Sequence, residues 1–248
     1  MSTNFKLPTE QVDLPSKGLL YPKDSPLASG TIEMKYMTAK EEDILTNQNY
    51  INKGIVVDKL LESLIVSKVN FNDILIGDKD ALLIASRILG YGKDYDFNYA
   101  GEKIVVDLTT LKNKELDESL VIDRKNSFSF KLPHTDNTIT FRLLTQKDEK
   151  DIQREIDGLK KVSPNASKDL STRMKYMITS INGEEEKPVV RDFIDNGFLA
   201  KDARALREYY ASIVPGIDTT VSHEFEDGVV EDLTIPINAN FLWPDFGL

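Results

Sequence analysis

Residues 31–45, TIEMKYMTAKEEDIL, return in altered form as TITFRLLTQKDEKDI at residues 138–152. At this offset of 107 (138 against 31), Thr31, Ile32, Thr38, Lys40 and Glu42 meet the same residue types at Thr138, Ile139, Thr145, Lys147 and Glu149. Met34, Lys35 and Glu41 meet Phe141, Arg142 and Asp148, which keep their chemical character. Further on, KDALLIASRI from Lys79 resembles KDARALREYY from Lys201, an offset of 122. VVDLT ending at Thr109 resembles VEDLT ending at Thr234, an offset of 125. Three matches in one order, with slowly growing offsets, imply a tandem duplication with insertions. Such a chain must fold one unit twice, so the chemistry of each copy constrains the other.

The local patterns agree between the copies. Ile32-Glu33-Met34-Lys35-Tyr36 and Ile139-Thr140-Phe141-Arg142-Leu143 alternate at the period of a half-buried strand. Thr38 with Glu41, and Thr145 with Asp148, place a hydroxyl at a helix N-cap and a carboxylate three residues on. A second helix is predicted where Ile55, Val56, Leu60, Leu61, Leu64, Ile65 and Val69 share one face. Its counterpart aligns Met174, Met177, Ile178 and Ile181, with Gly183 as C-cap. The third helix, with Asp78 as N-cap, is apolar nearly all round from Ala81 to Leu89, which predicts a central position. Its counterpart, through Ala203, Leu206, Tyr209, Tyr210 and Ile213, is amphipathic. Ala100-Gly101 and Asp227-Gly228 mark hairpin turns. Phe128–Leu132 is expected to pair with residues 138–144, and Leu19-Leu20-Tyr21 with 31–37. The predicted fold class is α+β, a tandem duplication of a hairpin–three-helix–hairpin unit with extended N- and C-terminal arms. The polar stretch 112–126 sets the boundary: residues 1–122 hold the arm and first repeat, residues 123–248 the second repeat and an aromatic tail.

Charge and composition narrow the function. The 248 residues carry 31 Lys and Arg against 41 Asp and Glu, a formal charge of −10, which repels phosphate and argues against a nucleic-acid partner. Cysteine is absent, which removes disulfides, thiol catalysis and Cys-based zinc sites. The opening MSTNFKLPTE lacks the apolar centre of a signal peptide, and no apolar run approaches the ~20 residues of a membrane span, so a soluble protein is expected. His134 and His223 are isolated, and Gly90-Tyr-Gly92 follows a helix where a phosphate loop would precede one. No catalytic, cofactor-binding or metal-ligating residue is therefore assigned. A hydrolase or lyase using dispersed carboxylates, and a generic cytosolic adaptor, remain the competing readings.

Two segments carry residues that a plain surface does not need. One is Leu14-Pro15-Ser16-Lys17-Gly18-Leu19-Leu20-Tyr21-Pro22; the other is the closing Phe241-Leu242-Trp243-Pro244-Asp245-Phe246. Large aromatics are enriched as interface anchors. Pro15, Ser16, Lys17, Gly18, Tyr21, Phe241, Trp243 and Phe246 are accordingly the candidate partner-binding residues, with fold-back of the tail onto the core as the alternative.

Leu14–Pro22, Met37-Thr-Ala-Lys-Glu-Glu-Asp43, Ile88-Leu-Gly-Tyr-Gly92 and Phe241-Leu-Trp-Pro-Asp245 together resemble the T4-type bacteriophage baseplate protein family, which includes a baseplate hub subunit and a hub assembly catalyst. The likeness spans essentially the whole chain; its opening and closing elements are the most specific. Some members carry a cysteine pair after the Gly-Tyr-Gly element. This chain has Asn98-Tyr-Ala-Gly-Glu102 there, so a metal knuckle is lost. The resemblance implies a non-enzymatic protein that acts as chaperone or subunit in building the central hub. Its partners would be other baseplate hub or tail proteins, and its location the host cytoplasm during assembly or the virion baseplate. It supplies no catalytic residues.

Overall fold

Alternation decides the first hairpin. Ile32 and Met34 are fully buried while Thr31, Glu33 and Lys35 keep contact with solvent. The computed structural model, which describes residues 7–162, 168–225 and 228–243, pairs β1 (Thr9–Asp13) antiparallel to β2 (Thr31–Lys35), Thr9 opposite Lys35 and Asp13 opposite Thr31. Leu19-Leu20-Tyr21 is thus not the partner strand expected for residues 31–37. It forms part of a turn, because Leu20 and Tyr21 face inward and the Tyr21 hydroxyl is held by Asp78.

Glu41 reaches back to the Thr38 N–H (3.0 Å) and hydroxyl (2.6 Å), starting α1 (Ala39–Leu45) directly after the strand. A short α2 (Gln48–Asn52) follows, capped by the Asn47 side chain. α3 (Val56–Leu64) buries Leu60, Leu61 and Leu64. It stops where Ile65 turns extended and bridges Met34, with the Val66 N–H donating to Glu33 O at 2.8 Å. α4 (Ile76–Tyr91) ends at Gly92, whose N–H binds Ile88 O at a φ of 89°, so Gly90-Tyr-Gly92 is a helix terminus. β3 (Asp94–Tyr99) and β4 (Glu102–Asp107) meet at Ala100 and Gly101, both with positive φ as a tight hairpin turn requires. β5 (Lys112–Lys114) lies in the connecting stretch.

In the second half, β6 (Phe128–Lys131) pairs with β7 (Thr138–Phe141) as expected. α5 (Gln146–Val162) and α6 (Asp169–Met177) follow. Ile178 and Ile181, expected on a helix, instead lie on β8 (Ile178–Ile181), which pairs with β7 across a register shift at Thr140/Phe141. β-branched residues at a helix end give way easily when an open sheet edge lies beside them. Gly183 therefore serves the turn after β8, together with Asn182, rather than a helix end. α7 (Lys187–Asp192) runs into a π-helical turn, Phe193–Gly197, and α8 (Ala200–Ile213) comes next. β9 (Gly216–Asp218) pairs with β5, β10 (Thr220–Glu224) pairs with β11 (Val230–Thr234), and a four-residue α9 (Ala239–Leu242) follows. Helices and antiparallel strands together make the protein α+β, as the sequence implied.

Matching positions in the two halves make matching contacts. β1 and β6 each run straight into a Leu-Pro pair with a buried leucine, Leu14-Pro15 and Leu132-Pro133; Pro15 is buried too, whereas Pro133 is exposed. Met34 bridges Ile65 just after α3, and Phe141 pairs with Ile178 just after α6. The long helices correspond at an offset of 124 rather than 122: Asp78 and Asp202 are both third in their helix and fully buried, as are Leu82 and Leu206 one turn on. Asp78 is accordingly an interior residue of the first turn, not the N-cap.

A single apolar cluster, running from Leu14 and Met34 through Leu82 to Phe141, Leu206 and Phe241, joins the halves. The seam is hydrogen-bonded as well: Gln146 N–H donates to Ile74 O at 2.8 Å and Ile76 N–H to Leu144 O at 3.0 Å. Where α4 begins, a Cβ built on Gly77 would lie 1.7 Å from Pro215 O. Among the described residues no helix is long and apolar enough to cross a membrane.

Candidate functional site

The N-terminal candidate segment is folded around one carboxylate. Asp78 accepts from the Ser16 N–H (2.8 Å), the Ser16 hydroxyl (2.6 Å) and the Tyr21 hydroxyl (2.6 Å), and Tyr21 in turn accepts from the Leu75 N–H (2.9 Å). Burial pushes the Asp78 carboxyl above its ordinary range, against the pull of these donors. Burial and the adjacent Asp78 also push the Tyr21 phenol up. Pro15, Ser16, Gly18 and Tyr21, expected to face a partner, are therefore interior. Gly18 has a φ of 72°, and a Cβ there would lie 2.7 Å from both Ala28 O and Gly30 N. Only Lys17 of this group reaches the surface, where it pairs with Glu115 (3.1 Å) and Glu118 (3.3 Å). Arg124 closes the loop by donating to Gly18 O (2.5 Å) and Ala28 O (3.2 Å).

The same device recurs in the second half. Asp202 accepts from the His134 N–H (2.9 Å) and the Thr135 hydroxyl (2.8 Å). Each Leu-Pro turn thus presents a backbone N–H and a hydroxyl to the buried aspartate of the long helix. His134 acts through its backbone here.

The described part of the tail, through residue 243, packs on the core, which is the fold-back alternative for Phe241. Phe241 is fully buried, edge-on to Tyr95 with ring centroids 4.9 Å apart, and Leu242 is buried beside it. Trp243 is half-buried against the core, and Phe246 lies outside the described residues. Truncation after Asn238 removes this packing. It is expected to cost about 3–5 kcal/mol for the Phe241 ring alone and to lower the midpoint of chemical unfolding. An unchanged midpoint would show that the ring does not stabilise the core.

Both strand-to-helix junctions carry a buried acid, in different surroundings. In the first half Lys35 (2.7 Å), Thr38 and Ser63 (2.7 Å) enclose Glu41 completely. Burial alone would raise its carboxyl, but these donors outweigh burial and hold it down to about 2, below the usual 4.5. The folded state then binds this proton less readily than the unfolded chain. The contribution is present in full above about pH 4.5 and is lost as pH falls toward 2. Denaturant titrations at a series of pH values should show a shallower acid slope for Glu41→Gln than for the native chain.

In the second half the corresponding acid sits at the floor of an open groove of about 520 Å³. Arg142 grips Asp148 with two bonds, 2.7 and 2.6 Å, while Thr145 caps it with its N–H and hydroxyl, both at 2.8 Å. These donors hold the Asp148 carboxyl below its usual range although burial opposes them. One wall is the first turn of α5; the other is β8 and α7, within residues 178–199. The first half joins α3 to α4 through residues 65–75 and has no strand-plus-helix addition at that place. This segment supplies Ile178, Thr179, Glu185, Lys187, Val190 and Arg191 to the groove lining. Its side chains, Lys187 and Arg191 above all, are functional candidates that sequence reasoning passed over. The only signal was the surplus length between the second and third helices of the second half.

Among the described residues, no group of three or more His, Asp or Glu is arranged to hold a metal ion. The buried carboxylates Glu41, Asp58, Asp78, Asp148 and Asp202 are all bound by internal donors. No family model matches the chain, and neither a curated protein nor a solved structure shows significant similarity to it.

Proposed function

We propose that this chain is a non-enzymatic phage tail protein required to assemble the central hub of a baseplate, acting through contacts with other hub or tail proteins as chaperone or subunit. The observation that carries the reading is the four-element resemblance to the T4-type baseplate family. Its opening element, Leu14–Pro22, sets Ser16 and Tyr21 on Asp78, and its closing element, Phe241–Asp245, sets Phe241 on Tyr95. A likeness in residues that hold the core favours a shared architecture over a shared surface motif. The matched aspartate anchors and junctions in the two halves favour the internal duplication as well. With the buried acids held by internal donors, a role in binding is a better account than catalysis by dispersed carboxylates.

The test is genetic and analytical together. Deleting the gene from its phage should leave heads intact and stop baseplate formation. Mass spectrometry of purified virions beside infected-cell lysate then separates a retained subunit from a transient chaperone. Normal baseplates in the deletion would overturn the proposal.

A further inference from the structure

The groove over Arg142 and Asp148 has a charge unlike the rest of the molecule. Five basic and three acidic side chains line it, in a chain of net charge −10. Several of the cations are already engaged: Arg142 with Asp148, Lys175 with Asp195 at 2.7 Å, and Arg191 with Glu155 at 3.5 Å. Lys147 on α5 and Lys187 on α7 both line the groove, are exposed, and make no ion pair among the described residues; of the three lining acids only Glu185 is likewise unpaired there. A structural role would pair them with the nearby acids, as it does Lys35, Lys79 and Lys175. Two unmatched ammonium groups against one unmatched carboxylate, Glu185, leave the groove a local positive excess that negative charge supplied from outside can meet. The volume falls within the about 300–1,000 Å³ of ligand-binding clefts.

We infer that this groove binds a short, extended, acidic segment of a partner protein, its carboxylates placed on Lys147 and Lys187. The inference concerns the groove alone and stands independently of the baseplate reading. A peptide suits it better than a nucleic acid. A long polyanion would run onto the surrounding acidic surface, whereas a short segment meets only the groove. The two lysines lie on separate helices, whereas a phosphate cradle is built from successive backbone N–H groups of one turn.

The experiment uses the full chain and a fluorescein-labelled hexaglutamate peptide, followed by anisotropy at about 50 and about 300 mM salt. Saturable binding is expected, at least about tenfold weaker at the higher salt. The double variant Lys147→Glu, Lys187→Glu should lose at least about tenfold in affinity while its thermal midpoint stays unchanged, since neither side chain holds the fold. If that variant misfolds, Lys147→Gln, Lys187→Gln serves the same purpose with a smaller loss. Equal binding by the folded variants, absence of saturable binding, or tighter binding of oligothymidylate or inorganic phosphate than of the peptide would each overturn the inference.

Discussion

Replacing Gly77 with alanine is expected to abolish the native fold. The added methyl would stand 1.7 Å from Pro215 O and 2.8 Å from Pro215 C, both backbone atoms, so no rotamer change relieves it. Either α4 shifts, dragging Asp78 from Ser16 and Tyr21, or residues 215–216 move and break the pairing of β9 with β5. The cost should exceed the about 1–3 kcal/mol of ordinary overpacking and approach the whole stability of a domain. Insoluble expression, or a folded yield with no cooperative melt, is the expected result. Gly158→Ala is the counter-experiment. That glycine lies in α5 with open space around its Cβ position, and alanine there should stabilise by about 0.5–1 kcal/mol. A soluble, normally melting Gly77→Ala protein would refute the close approach.

Asp78→Ala is the second large effect. It leaves the Ser16 N–H and the hydroxyls of Ser16 and Tyr21 buried around a void, without their acceptor. Each buried unsatisfied group costs about 1–3 kcal/mol, so the sum is several kcal/mol. Asp202→Ala removes the acceptor of two groups rather than three and should cost less. Because Tyr21→Phe removes one orphan, Asp78→Ala with Tyr21→Phe should cost less than the two single changes together. Equilibrium unfolding of the four variants measures these differences. A loss at Asp202 larger than at Asp78 would contradict the assignment.

Much of the architecture was legible because its signals are local. Thr38 to Glu41 and Thr145 to Asp148 span three residues, Ala100-Gly101 is a two-residue turn, and Ile32 and Met34 alternate within one strand. What stayed hidden depends on partners far along the chain. Residue identity aligned Asp80 with Asp202, whereas folding matches Asp78 to Asp202, because the position that counts is the one facing the Leu-Pro turn. Ser16 lies 62 residues from Asp78, and no periodicity records that bond. The aromatics of the tail looked like surface anchors because Tyr95, the ring that receives Phe241, belongs to a hairpin in the other half. The groove was invisible for a similar reason. The charge run Glu184-Glu185-Glu186 has the pattern of a solvated loop, and the α7 wall beyond it gains meaning only beside α5.

The union of Tyr95 with Phe241 also sets a clock on synthesis. Tyr95 hydroxyl donates to Pro236 O, 141 positions later, and the same hairpin carries the buried Ile104. At about 5–20 residues per second, the first half leaves the ribosome on the order of ten seconds before its last packing surface exists. During that interval β3 and β4 form a two-stranded ribbon with open edges and one apolar face still uncovered, and neighbouring nascent chains on one message carry the same ribbon. Losses in production should therefore arise chiefly from chains caught before completion, and slower elongation should increase them even where the finished protein is stable.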